Sequence, residues 1–112
     1  MDILFADKKL EKKCNDFRQL QKAYGKKQAK KIRQRLDELR AAEVLDDIPH
    51  LPPPRMHQLG GNRKGQISVD VDHPYRLIFT PANNPVPLKE DGGIDLSKVN
   101  IILIQGVEDT HE

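Results

Sequence analysis

Apolar residues in this chain keep two different periods, and the change falls at a proline-rich stretch, residues 45–54, that contains Asp46, Asp47, Pro49 and Pro52-Pro53-Pro54. Before it, Leu10, Cys14, Phe17, Gln21 and Tyr24 recur at steps of three and four with Leu20 beside them. That spacing predicts an amphipathic helix over residues 8–24, capped by Gly25. The same period resumes through Ala29, Ile32, Leu36 and Leu39, which predicts a second helix from Lys26 to near Ala42. The two form a hairpin whose shared stripe is too narrow to bury by itself, so it needs something flat to pack against.

After the prolines the period becomes two. Residues 55–59 are a short strand candidate, Gly60-Gly61-Asn62 makes a turn, and Ile67, Val69 and Val71 alternate with Ser68, Asp70 and Asp72. Beyond the turn Asp72-His73-Pro74, Tyr75, Leu77 and Phe79 alternate with Arg76, Ile78 and Thr80, so the two segments pair as a hairpin. Residues 81–95 hold three Pro, two Asn and Gly92-Gly93 and read as a long polar loop, with Asp95 capping a short turn. The run Ile101-Ile102-Leu103-Ile104 marks a last strand buried on both faces at a central place in the sheet, and Ile3-Leu4-Phe5 supplies a first one. The expectation is an α+β fold in a single domain, 1–112, with an N-terminal strand and a helix hairpin packed on one face of a small, mainly antiparallel twisted sheet. The other face is left partly open.

A chain of 112 residues suits one core, built here from Leu, Ile and Val because it has three Phe, two Tyr and no Trp. The lone Cys14 excludes an intramolecular disulfide and a Cys-rich zinc module. No stretch approaches the ~20 apolar residues that span a bilayer, and no basic start leads into an apolar run. A cytoplasmic protein with no membrane partner is expected. The net charge is only +2, yet Lys22, Lys26, Lys27, Lys30, Lys31, Arg33 and Arg35 crowd one stretch that carries no acid. Such a face suits a polyanion or an acidic protein, and equally a plain solvated helix. Phosphate-loop, dinucleotide and His-Glu-x-x-His patterns are missing from the sequence. A metal on His50 and His57 would need Asp109 or His111 to complete it, so neither metal nor cofactor is expected.

The segment from His57-Gln58-Leu59-Gly60-Gly61-Asn62-Arg63-Lys64-Gly65 through Ile67-Ser68-Val69, then Tyr75-Arg76-Leu77-Ile78-Phe79 and the closing Glu108-Asp109-Thr110-His111, resembles the HigB-like branch of the RelE/ParE toxin superfamily. With the leading strand and helix hairpin, the likeness covers most of the chain. It implies the toxin of a type II toxin-antitoxin pair: a metal-independent, ribosome-dependent mRNA endonuclease. Its partners would be mRNA on the ribosome and a helix-turn-helix, HigA-like antitoxin, with a heterotetramer as the complex.

The resemblance further implies a site made of His57, Arg76, Asp109 and His111, with Arg63 and Lys64 of the Gly-flanked turn as RNA phosphate contacts; the charge of the basic helix adds Lys30 and Arg33 as further candidate RNA contacts. An imidazole exchanges protons near neutral pH, and a planar guanidinium braces phosphate oxygens. Each residue also has a plainer reading. His57 can close a strand, Arg76 can pair with Asp70 or Asp109, Arg63 and Lys64 can sit in a solvated turn, and Asp109 and His111 can belong to an exposed tail. The chain departs from the family at Gly60, in place of a lysine, at Thr110, in place of a base-stacking tyrosine, and at Asp72, where some members have arginine and where an acid stands near the substrate path. These departures favour a second reading, a non-catalytic toxin fold acting with its antitoxin in repression, or a ParE-like gyrase inhibitor.

Overall fold

The computed structural model describes residues 1–110. In chain order the elements are β1 (Asp2–Phe5), α1 (Lys8–Asn15), α2 (Phe17–Tyr24), α3 (Lys26–Ala41), β2 (His57–Gln58), β3 (Ile67–Asp70), β4 (Tyr75–Pro81) and β5 (Ile101–Asp109). They form one five-stranded sheet in the order β1-β5-β4-β3-β2. Only β1 and β5 run parallel, and every other pair is antiparallel. The fold class matches the expectation.

The stretch expected to be one helix over 8–24 is two. Asp16 leaves the helical region (φ −129°, ψ 107°), and its carboxylate accepts from the Arg18 N–H at 3.0 Å, so it closes α1 and caps α2. Short polar side chains compete for backbone N–H groups in this way, and Asn15-Asp16 places two of them together. Asp7 caps α1 by accepting from Leu10 N at 2.8 Å. The expected cap at Asp95 is present, its carboxylate accepting from Ser97 N ahead of a 3₁₀ turn, Leu96–Lys98.

Leu20, Ile32, Leu36 and Leu39 from the helices meet Ile67, Val69, Leu77, Phe79, Ile102 and Ile104 from the sheet in one core. The burial expected on both faces of the last strand is not found: Ile102 and Ile104 are buried, while Ile101 and Leu103 are half-buried. Helices cover only one side of the sheet, and an unbroken apolar run does not distinguish a doubly covered strand from one whose second face is thinly screened. The central position does hold, since β5 lies between β1 and β4.

Polar ties lock the helices to the sheet. Arg35, 5% exposed, donates from Nε to the Asp70 carbonyl at 2.8 Å and from Nη1 to Glu38 at 2.9 Å. Gln28 donates to the Asp72 carbonyl and accepts from the Asp72 N–H. A buried arginine and glutamine with these partners stabilise the packing, whereas unpaired they would weigh against it.

Cys14 lies against the core, and burial pushes its thiol from 9.0 up to about 11, against the nearby positive charges of Arg40 and Lys13. A raised pKa in the folded state means that the native chain keeps a proton the unfolded chain has lost. The associated stability is therefore full below about pH 9 and lost as pH rises toward 11. Native Cys14 is expected to react with a disulfide reagent at pH 8 about tenfold or more slowly than the urea-unfolded chain. Equal rates would show that the thiol is not held in its protonated form.

Candidate functional site

The face of the sheet turned away from the helices is set by alternation. Leu77 and Phe79 of β4 face the core, so Arg76 and Ile78 face the other way. Cross-strand register then places Asp70 and Glu108 beside Arg76, and His57 and Ser68 in the row of Ile78. Arg55, just before β2, joins the first row: its Nε and Nη2 donate to Asp70 at 2.7 and 3.0 Å. Arg76 Nε stands 3.7 Å from the same carboxylate. Arg63 donates to Glu108 at 2.7 Å and to Gln66 at 2.9 Å. Five charged side chains of alternating sign, Arg55, Asp70, Arg76, Glu108 and Arg63, thus run across the strands.

Arg63 sits in the turn between β2 and β3, and Glu108 on β5 is two strands away from that hairpin's inner strand. The turn therefore leans over the sheet. Leu59 and Ile78 are buried yet stand outside the helix-side core, as expected if the turn covers them. The face is not as open as the sequence suggested.

His57 is exposed on β2, on the same face as Arg76 and one row away from it. Lys64 is exposed at the end of the turn. Asp109 is displaced from this face. At β4 the register passes from Ile78↔Gly106 to Phe79↔Ile104, so Gln105 is an extra residue and β5 carries a bulge. Beyond it the parity inverts, Val107 turns to the core and Asp109 pairs with Tyr75 on the helix side. At the end of the sheet the two faces nevertheless meet, because Arg76 and Asp109 line one hollow. His111 lies outside the described residues.

Lys30 and Arg33 are not brought to this face. Helix α3 buries Ala29, Ile32 and Leu36 against the sheet, which leaves Lys30 and Arg33 exposed on its outer side, with Arg33 5.5 Å over the Phe17 ring. Asp72 is also directed toward the helices, 3.5 Å from both Lys27 and Lys31, so its charge is engaged there and not on the face of Arg76. Sequence reasoning missed Arg55 and passed over Glu108 in favour of Asp109. The ladder partners of Arg76 were the signal for Glu108, but the bulge concealed it. Among the described residues no group of three His, Cys, Asp or Glu side chains is placed to hold a metal ion. No helix there is long and apolar enough to cross a membrane.

A mainly antiparallel sheet with helices on one side and a row of arginines and carboxylates on the other defines a class of small α+β proteins with a polar, cation-bearing sheet face. The family model described as the RelE-like toxin of the type II toxin-antitoxin system HigB matches residues 3–88, and the chain belongs to that family. Similar solved structures include the YoeB dimer from Staphylococcus aureus, at TM-score 0.54 and 21% identity over 100% of this chain and 98% of that one. The YoeB-YefM complex from Staphylococcus aureus is similar at TM-score 0.53 and 20% identity over the same shares. At this identity the likeness speaks for the fold. Among curated proteins none matches the chain.

Proposed function

We propose that this toxin is an mRNA endonuclease acting on translating ribosomes, and that the face bearing His57 and Arg76 carries the reaction. The observation that supports this most directly is the register that puts an exposed imidazole and a row of guanidinium groups on one side of the sheet. The 2′-oxygen of the RNA attacks the adjacent phosphorus, the bond from phosphorus to the 5′-oxygen breaks, and the products are a 2′,3′-cyclic phosphate and a 5′-hydroxyl. A base must take the 2′-hydroxyl proton, cations must balance the charge that builds on the phosphate, and an acid must protonate the leaving oxygen.

His57 on the face and Asp109 at its rim are the proposed proton carriers, with His111 completing the site and Arg63, Lys64 and Arg76 on the phosphate. In the free protein Arg76 and Arg63 are paired with Asp70 and Glu108. The carboxylates hold the guanidinium planes in place, and a phosphate competes for donors that are already oriented. Lys30 and Arg33, on the outer side of α3, are proposed to contact RNA elsewhere than at the cleaved bond. A helix-turn-helix antitoxin of the HigA type is the proposed neutralising partner, in a heterotetramer. The structural neighbours include a heterotetrameric YoeB-YefM toxin-antitoxin complex.

The same ion pairs favour one alternative, a fold that has lost cleavage and serves with its antitoxin in repression, because each arginine of the row already has an acid beside it. Mapping mRNA 5′-ends on programmed ribosomes separates the readings. The nuclease reading expects new ends with wild type and their loss, by about a hundredfold, with His57→Ala. Intact mRNA with both proteins, together with unaffected growth on expression, would establish the non-catalytic form. Induction of the DNA-damage response would instead point to gyrase.

A further inference from the structure

The hollow at the end of β3 and β4 shares Arg76 and Asp109 with the proposed cleavage site and adds Arg55, Tyr75 and Thr110, which the cleavage chemistry does not use. Arg55, Asp70, Tyr75, Arg76, Asp109 and Thr110 form much of its wall, around a volume of ≈ 150 Å³.

Three separate observations mark it as a place for a ligand. Arg55 is the one non-glycine residue with positive φ, 45°, among the described residues, a conformation that a side chain disfavours and that structures retain where their surroundings impose it. Its neighbours Pro54 and Met56 are buried, and the Pro54 carbonyl accepts from Asp70 N at 2.7 Å. So fixed, Arg55 places two of its five N–H donors on Asp70, and one carboxylate holds the Arg55 and Arg76 guanidinium groups side by side. Tyr75 is the one exposed Phe or Tyr ring among the described residues, at 45%. Thr110 is 6% exposed, and its hydroxyl has no hydrogen-bond partner among the described residues. A buried hydroxyl in that state is poised to bond whatever fills the space beside it.

We infer that this hollow binds one nucleotide of an RNA strand, its phosphate on the Arg55 and Arg76 guanidinium pair, its base against the Tyr75 ring, and a ribose or base polar atom on the Thr110 hydroxyl. The identity of the polymer rests on the nuclease reading above; the subsite itself adds a bound nucleotide beside the one that is cleaved. Guanidinium groups recognise phosphate oxygens with directed, paired hydrogen bonds, and an aromatic ring accepts any base by stacking. Two arginines and two carboxylates in the wall balance one another, so directed bonds and stacking supply the affinity and net charge supplies little. Binding at this subsite should accordingly vary only weakly with salt.

The probe is a short 2′-O-methyl RNA oligonucleotide, which cannot undergo 2′-hydroxyl attack, carrying a fluorescent label at one end and titrated with the full chain, so that the anisotropy of the label reports binding by every variant. Binding is expected to raise that anisotropy and, in Tyr24→Phe protein where Tyr75 is the one tyrosine left, to quench tyrosine emission. Tyr75→Ala is expected to weaken binding about tenfold, the loss of one base stack, and Tyr75→Phe to preserve it. Arg55→Gln is expected to weaken it comparably, with circular dichroism confirming the fold. Wild-type affinity in folded Tyr75→Ala and Arg55→Gln, or no binding by the parent protein, overturns the subsite. Oligonucleotide binding that needs Tyr75, without any cleavage of mRNA by wild type, removes the nuclease reading and leaves the subsite. Cleavage that needs His57 yet is indifferent to Tyr75 and Arg55 does the reverse.

Discussion

Arg76→Ala is expected to slow RNA cleavage by about a hundredfold to a thousandfold, the cost of removing one oriented donor from a site where charge develops in the transition state. The change should leave the fold almost untouched. Arg76 reaches Asp70 only at 3.7 Å, and Asp70 keeps its two-bond grip from Arg55. A partly exposed ion pair of that kind contributes about 0–1 kcal/mol. Arg76→Lys should recover part of the rate, because it restores the charge without the planar fork. Single-turnover cleavage on programmed ribosomes, read beside a thermal melt, checks both halves. A rate equal to wild type would remove Arg76 from the site, and a large fall in melting temperature would recast it as a structural residue.

Phe79→Ala is expected to cost about 3–5 kcal/mol of stability, the range for truncating a fully buried aromatic ring. Phe79 is 0% exposed and faces Ile67 on β3 and Ile104 on β5. It also lies beside the β5 bulge, where the ladder is interrupted. Small domains total about 5–15 kcal/mol, so this one change consumes a large share of the margin. Leu88→Ala offers the contrast, since Leu88 is 59% exposed and a surface change of this kind should stay within about 0.5 kcal/mol. Urea denaturation of the two variants, with matched slopes, measures the difference. A Phe79→Ala loss near that of Leu88→Ala would mean the ring is not the keystone its burial indicates.

Much of the fold was legible because burial imposes periodicity. The helical stripe of Leu20, Ile32, Leu36 and Leu39 and the alternation at Ile67, Val69, Leu77 and Phe79 each name the face that the core receives. What escaped is what periodicity does not encode. Asp16 divides a continuous stripe because its carboxylate captures a backbone N–H, while the apolar spacing runs on undisturbed. Gln105 shifts the parity of β5 by one residue. Counting on from Ile102 and Ile104 therefore puts Asp109 on the face of Arg76, and the structure puts Glu108 there instead.

The candidate site shows the same division. His57 and Arg76 were found through family-like blocks, and strand register brings them to a common face. Arg55 belonged to no block, and its position follows from a left-handed backbone residue between two buried neighbours. Lys30 and Arg33 were grouped with the site because basic composition has no direction, whereas a helix that buries Ile32 and Leu36 must present them outward.

The buried Arg35 and Gln28, anchored to the backbone of Asp70 and Asp72, have a geometric consequence for recognition. They prevent the lysine-rich helix from sliding or swivelling over the strands, so its cationic exterior and the arginine row keep back-to-back aspects at a constant thickness. A straight nucleic-acid segment can touch one aspect or the other but not both. Simultaneous engagement demands a curved path around the sheet margin or two distinct strands gripping the molecule from opposite sides, like a wedge between them.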